Sequence, residues 1–160
     1  NDEISIKEFK KFVNYYGKFE FLNEILNEIL SKLDIKKSVD QFYLTKREIN
    51  YIDSLGFEIG SHGVSHKLLS RLSYKDQEYE LKTSKYFLES FLNKKINSFC
   101  YPYGGDASFN KDTISILQKL EYKNATSVDS RDIFDIDKNL NYYQIPRYDC
   151  NEIKKLYPFL

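Results

Sequence analysis

Apolar residues recur along this chain at helical spacing in some stretches and in short unbroken runs in others. Ile6, Phe9, Val13 and Tyr16 stand three or four apart, as on one face of a helix. Ser5 offers that helix an N-cap, with Glu8 as its capping-box partner, and Gly17 closes it. From Glu20 a cleaner stripe follows: Leu22, Ile25, Leu26, Ile29, Leu30 and Leu33. It predicts an amphipathic helix whose apolar side is core, with nothing catalytic about it. Residues 34–44 read as a mixed connection. Thr45 and Glu48 form a second capping box for a helix running to Leu55, where Gly56 supplies a left-handed cap. Phe57 to Gly60 then reads as a short buried strand that stops at the glycine. A turn over 67–72 leads to Ser73, the expected cap of a long helix to about Asn93, with Leu81, Phe87, Leu88, Phe91 and Leu92 as its apolar positions. Ile96 to Tyr101 predicts a second strand, ended by Pro102-Tyr103-Gly104-Gly105. Asn110 caps a helix from Lys111 to about Leu120. Tyr122 to Val128 is a third strand and Tyr142 to Ile145 a fourth, ending in Pro146-Arg147; the tail from Asn151 reads as a short last helix.

Strands that alternate with helices of this length imply βα units and a parallel sheet. The polar groups with chemical potential all fall just after a predicted strand: His62 and His66, the Tyr101 to Gly105 segment, Asp129, and Arg147 to Asp149. In a parallel barrel or open sheet those strand ends gather on one face.

Composition narrows the function classes. Lysine plus arginine and aspartate plus glutamate balance at 24 each, so no basic excess points to nucleic acid or an anionic membrane. No apolar run approaches the roughly 18–20 residues of a membrane-spanning helix. Cys100 and Cys150 do not make a disulfide framework, and Cys100, late in an apolar run, reads as a buried inert thiol. The chain holds no methionine, even at its first position. An opening of Asn1-Asp2-Glu3 is expected to follow a segment that was removed or lies upstream.

The stretch FEIGSHGVSH holds both histidines of the protein, four residues apart, among Gly60, Ser61, Gly63 and Ser65. Small residues let a ligand approach the backbone. If His62 to His66 is one helical turn, both rings share a face. Two neutral imidazoles there make two-thirds of a catalytic zinc site, which takes three protein ligands and keeps a position for water.

FEIGSHGVSH, a long helix, FCYPYGG and then IPRYD, in that order, resemble the polysaccharide deacetylases with a NodB homology domain, carbohydrate esterase family four. The resemblance covers roughly Thr45 to Asn151. It implies an α/β fold, a distorted (β/α) barrel incomplete at its N-terminal strands. The chain would be a single domain over 1–160, with 1–44 a helical lead-in or insertion and 45–151 the deacetylase core. The family removes acetyl groups from sugars with a divalent metal. The segment His62-Gly63-Val64-Ser65-His66 resembles the family's H-S/T-x-x-H motif in its histidine pair and their spacing, with Gly63 in the Ser/Thr place, so His62 and His66 are the implied ligands, with zinc or cobalt as the implied metal. Pro102 and Tyr103 match the third motif, whose tyrosine backbone N–H helps hold an oxyanion. Tyr101, Pro102, Gly104 and Asp129 are the implied substrate-binding positions, with Tyr101 open to a core role as well. Arg147 matches an arginine of a branch acting on cell-surface sugar biosynthesis, where an acidic residue follows, here Asp149. That branch tilts the expected location toward the cytoplasm, without fixing it.

The chain also departs from the pattern. The family's first motif carries adjacent aspartates, one a general base and one the third metal ligand, and no Asp-Asp occurs in this sequence. That motif would lie upstream of Asn1. Cys100 stands where the third motif usually has an arginine, and Arg147 is the expected replacement for its charge. The family's C-terminal histidine acid has no counterpart. The expected function is a metal-dependent hydrolase acting on an N-acetylated sugar of a surface polysaccharide or its precursor. The alternative is a non-catalytic sugar- or metal-binding relative without the aspartate pair. A barrel lacking its opening strands would expose a sheet edge and self-associate through it.

Overall fold

Local hydrogen-bond chemistry sets the helix boundaries in the structure, a computed structural model that describes residues 2–17, 19–32, 43–134 and 140–148. The expected connection at 34–42, Asp149, Cys150 and the tail helix lie outside these residues. The chain divides into two compact units, Asn1–Ile52 and Asp53–Leu160.

In the first unit, α1 spans Asp2–Tyr15 and α2 spans Phe19–Ser31. Helix α1 starts ahead of Ser5, so Ser5 lies inside the helix and is not its cap; helix starts are weakly specified by local sequence. Gly17 makes the corner because a Cβ there would stand 2.4 Å from Leu22 Cδ1. Leu22 is buried, but Ile29 and Leu30 of the same stripe are exposed, as are Ile6, Phe9 and Phe12 of α1. Among the described residues of these two helices, burial is confined to Gly17 and Leu22 at the corner. Helix α3, Lys46–Ser54, has the predicted box: the Thr45 amide donates to Glu48 Oε2 at 2.7 Å and the Glu48 amide to Thr45 Oγ1 at 3.3 Å. Gly56 follows at φ +88°.

The second unit holds the sheet. Helix α4 runs Tyr74–Leu92 from the Ser73 cap to Asn93, which closes it at φ 52°. Strand β1 is Ser98–Cys100, helix α5 is Lys111–Lys119, and strand β2 is Asn124–Thr126. Asn110 and Thr113 cap α5 reciprocally, each bond 3.1 Å. The strands are parallel, with Phe99 opposite Ala125. Single parallel bridges, Ser61 to Phe99 and Thr126 to Ile145, extend the ladder on both sides. The result is a small, open parallel sheet in an α/β fold, its four segments in the expected chain order. The strands are shorter than predicted, and Phe57 to Gly60 is not a strand. Phe57 is 62% exposed, and pairing begins only at Ser61.

The core packs between sheet and helices. Phe99, Tyr101, Tyr122, Leu81, Ile96 and Ile116 are fully buried. Each buried phenol finds a backbone acceptor, as burial requires: Tyr101 donates to Tyr143 O at 2.8 Å and Tyr122 to Leu81 O at 3.1 Å. Burial holds both phenols protonated far into alkali, Tyr122 up to about 12. The buried face of α4 carries Gln77, Glu80, Ser84 and Lys85 beside Leu81 and Leu92, whereas Phe87 is half-exposed. The apolar stripe predicted for this helix is thus rotated, because Phe87 falls off the face shared by 77, 81, 84, 85 and 92. Among the described residues, no helix is long and apolar enough to cross a membrane.

Candidate functional site

The histidine loop is pinned to the sheet at its first residue. The Ser61 amide donates to Ser98 O and the Cys100 amide donates to Ser61 O, both at 2.9 Å. The Ser61 hydroxyl meets the Ser84 hydroxyl of α4 at 2.7 Å. The chain then leaves the strand path at once. His62 to His66 is not the expected helical turn: Gly63 has φ +83° and His66 φ 53°. The rings still converge, by a left-handed loop, with centroids 4.9 Å apart and planes at 69°. The Tyr103 ring stands against His66 at the same separation.

His62 Nδ1 lies 2.6 Å from Cys100 O. A carbonyl oxygen only accepts, so Nδ1 carries the proton and the Nε2 lone pair faces outward. That is how a metal-binding imidazole is usually oriented, by a backbone carbonyl on its other nitrogen. The donor chemistry and spacing fit two ligands of a divalent cation. Among the described residues no cluster of three or more histidine, cysteine or acidic side chains is gathered that would hold the ion fully.

The site's electrostatics oppose the two rings. Hydrogen bonding to Cys100 raises the His62 pKa, against burial and the Arg147 charge. Burial, then the nearby His62 charge, lowers that of His66. Burial pushes the Cys100 thiol up, but hydrogen bonding with His62 and Thr126 and the Arg147 charge outweigh it, so the thiol sits below its ordinary value. Cys100, read from sequence as a buried inert thiol, is a half-buried member of the site.

The remaining predicted residues divide by burial. Tyr101 stacks on Phe109 with centroids 3.8 Å apart and is fully buried, so it underlies the site as core. Pro102 is buried as well. Tyr103 has φ 64°, and Gly104 at φ +71° is locked in place: a Cβ there would meet Val128 Cγ2 at 2.5 Å. The Val128 amide donates to Gly104 O at 2.7 Å, which ties this turn to the end of β2. Asp129 is exposed and takes a 3.0 Å bond from Arg131 Nε. Arg147 is half-buried, and its Nε is buried without a hydrogen-bond partner among the described residues. A cavity of about 440 Å³ opens beside His62, between Gly63 and Val64 on one side and Thr83, Ser84, Phe87 and Leu88 of α4 on the other.

One residue was not foreseen. Glu80 of α4 is 4% exposed, and its carboxylate accepts from the Val64 amide at 2.7 Å and the Ser65 amide at 2.8 Å. The Ser65 hydroxyl donates to its other oxygen. The available signal was an acidic residue in register with Leu81 and Ser84 on the core side of an amphipathic helix.

Solved structures share this fold. The Streptococcus pyogenes deacetylase PplD, determined with acetate, matches with a TM-score of 0.61 and 23% identity, over 71% of this chain and 48% of that one. A polysaccharide deacetylase from Bacillus cereus gives 0.56 and 24%, over 66% and 32%. The BpsB deacetylase domain from Bordetella bronchiseptica gives 0.57 and 18%, over 67% and 49%. The chain therefore spans less than half the length of these structures. No curated protein sequence matches it. The family model described as polysaccharide deacetylase matches residues 23–125, more than half of the chain and inclusive of the histidine loop and the Tyr103 turn. The chain belongs to the polysaccharide deacetylase family.

Proposed function

We propose that this chain is a non-catalytic sugar-binding or metal-binding relative of the deacetylases that lacks the catalytic aspartate pair in its sequence. The observation that carries the reading is the pair of converging, exposed imidazoles, one of them oriented by the Cys100 carbonyl, with no third histidine, cysteine or acidic ligand completing the cluster among the described residues. Zinc suits two nitrogen donors, and cobalt is its spectroscopic substitute. Once bound, such a cation supplies a Lewis acid that polarises a carbonyl and lowers the pKa of water to about 7. The chain's own residues do the rest. The Tyr103 ring offers an aromatic wall for a pyranose face. The Tyr103 backbone N–H is the donor for a carbonyl oxygen as it gains charge. Arg147 and Asp129, with Asp149 following in the sequence, attract and orient polar groups of an N-acetylated sugar from a surface polysaccharide or its precursor.

The buried Arg147 Nε, without a hydrogen-bond partner among the described residues, favours a second reading. Such a donor fits a carboxylate and would keep it ionised. If another segment supplies an aspartate pair there, the same arrangement serves a hydrolytic deacetylase.

Cobalt or zinc titration followed by the two imidazole NMR signals tests the metal. Both rings are expected to shift to saturation, and unmoved signals at stoichiometric metal would remove it. Incubation with N-acetylated oligosaccharide and zinc is expected to release no acetate. Release above the protein-free blank, lost in His62→Ala, would transfer the chain to the enzymes. A sheet edge left open beyond Ser61 is expected to support self-association, so monodisperse monomers in light scattering at high concentration would count against it.

A further inference from the structure

The spread of the two imidazoles is set from outside the loop, by one helix that grips it at two places. Glu80 and Ser84 are one turn apart on the buried face of α4. Ser84 meets the Ser61 hydroxyl at 2.7 Å, just before His62. The Glu80 carboxylate takes the Val64 and Ser65 amides and the Ser65 hydroxyl, between His62 and His66. The loop fits closely on the carboxylate. A Cβ at Gly63 would lie 3.3 Å from Glu80 Oε2, and Gly63 takes φ +83° to make the approach.

A carboxylate buried to this degree is costly unless its oxygens are saturated. Here every hydrogen bond described for the side chain comes from the histidine loop. No lysine or arginine is paired with it among the ion pairs of the described residues. A residue serving packing alone would do better apolar at this position. We infer that Glu80 is a positioning residue for the histidine pair: it gathers the donors of residues 64 and 65 to one point and so fixes the left-handed path that brings His66 back against His62. The inference rests on the metal-binding reading for its consequence, and on the metal-free geometry for its substance.

The test uses the full chain with Glu80→Met, which keeps the length and cannot accept, Glu80→Gln, which keeps an acceptor oxygen, and Ser65→Ala, which leaves α4 untouched. Far-ultraviolet circular dichroism checks the fold. Without metal, the ring-to-ring nuclear Overhauser effect between His62 and His66 is expected in wild type and Glu80→Gln and lost in Glu80→Met. With cobalt, Glu80→Met is expected to bind about 10- to 100-fold more weakly, the usual effect of removing a group that orients a metal ligand. Glu80→Gln should restore binding, and Ser65→Ala should fall between. A folded Glu80→Met that keeps both the ring contact and the affinity overturns the inference. If Glu80→Met does not fold, Ser65→Ala decides, and wild-type behaviour in both readouts overturns it. Wild type that shows the ring contact and binds no cobalt sinks the metal reading and leaves the positioning role to the metal-free result.

Discussion

Helix α4 buries two opposite charges on one face, and they serve opposite ends of the sheet. Glu80 points to the end where strands finish, and its partners are the Val64 and Ser65 donors of the histidine loop. Lys85 points to the end where strands begin. Its Nζ donates to Ile96 O at 2.6 Å, stands 4.3 Å from the centroid of the Tyr122 ring and lies 3.6 Å from Glu89. Burial lowers the Lys85 pKa, with Glu89 opposing. Glu80 is satisfied by neutral donors and Lys85 also by a counter-charge, and the Lys85 cluster is the one tied into the aromatic core. In parallel α/β folds the strand-finishing end carries chemistry and the other end stability, and this chain divides the two tasks between residues five apart.

That division can be broken experimentally. The largest effect belongs to the site: His62→Ala or His66→Ala should abolish cobalt binding while the thermal midpoint scarcely moves, and loss of both together would mean that the loop is part of the core. Next comes Lys85→Met. It strands the Ile96 carbonyl, so denaturant unfolding should show a loss of about 1–3 kcal/mol, with cobalt affinity unchanged. Arg147→Gln is smaller. Removing a donor without a partner among the described residues should alter stability by no more than about 0.5 kcal/mol, and a loss of several times that would reveal a partner elsewhere in the chain.

The finest distinction is between the two rings. By NMR, His62 should titrate above the ordinary value of 6.5 and His66 below it. The signs oppose in stability as well. The raised His62 value contributes stability below the unfolded pKa, lost as pH rises through the folded one. The lowered His66 value means that the unfolded chain binds that proton more tightly, so stability falls as pH drops through 6.5 toward the folded value. A shallow stability maximum near pH 6.5 with split NMR midpoints is expected. Cys100→Ala should bring the His62 midpoint down and narrow the split.

How much of this was legible in sequence depended on how far each signal reaches. The Thr45–Glu48, Ser73 and Asn110 caps stand where local chemistry put them, because each bond closes within three residues. Strand order was legible from alternation. Strand extent was not, because a ladder needs neighbours: Phe57 to Gly60 has an apolar pattern and no pairing until Ser61. His62 and His66 meet, but through left-handed backbone at Gly63 and His66, which spacing alone does not encode. Glu80 was invisible for a related reason. An acid on a helix reads as a solvated position until the amides of a loop 15 and 16 residues earlier are seen to fill it.

The saturated phenols of Tyr101 and Tyr122 give the molecule a built-in optical clock. The chain has no tryptophan to mask them. Burial keeps these two phenols protonated beyond the ordinary phenol range, so their share of the near-ultraviolet rise waits until the core around them opens. The delayed rise in absorbance after a jump to high pH would therefore time the opening of the interior with no dye, label or mutation.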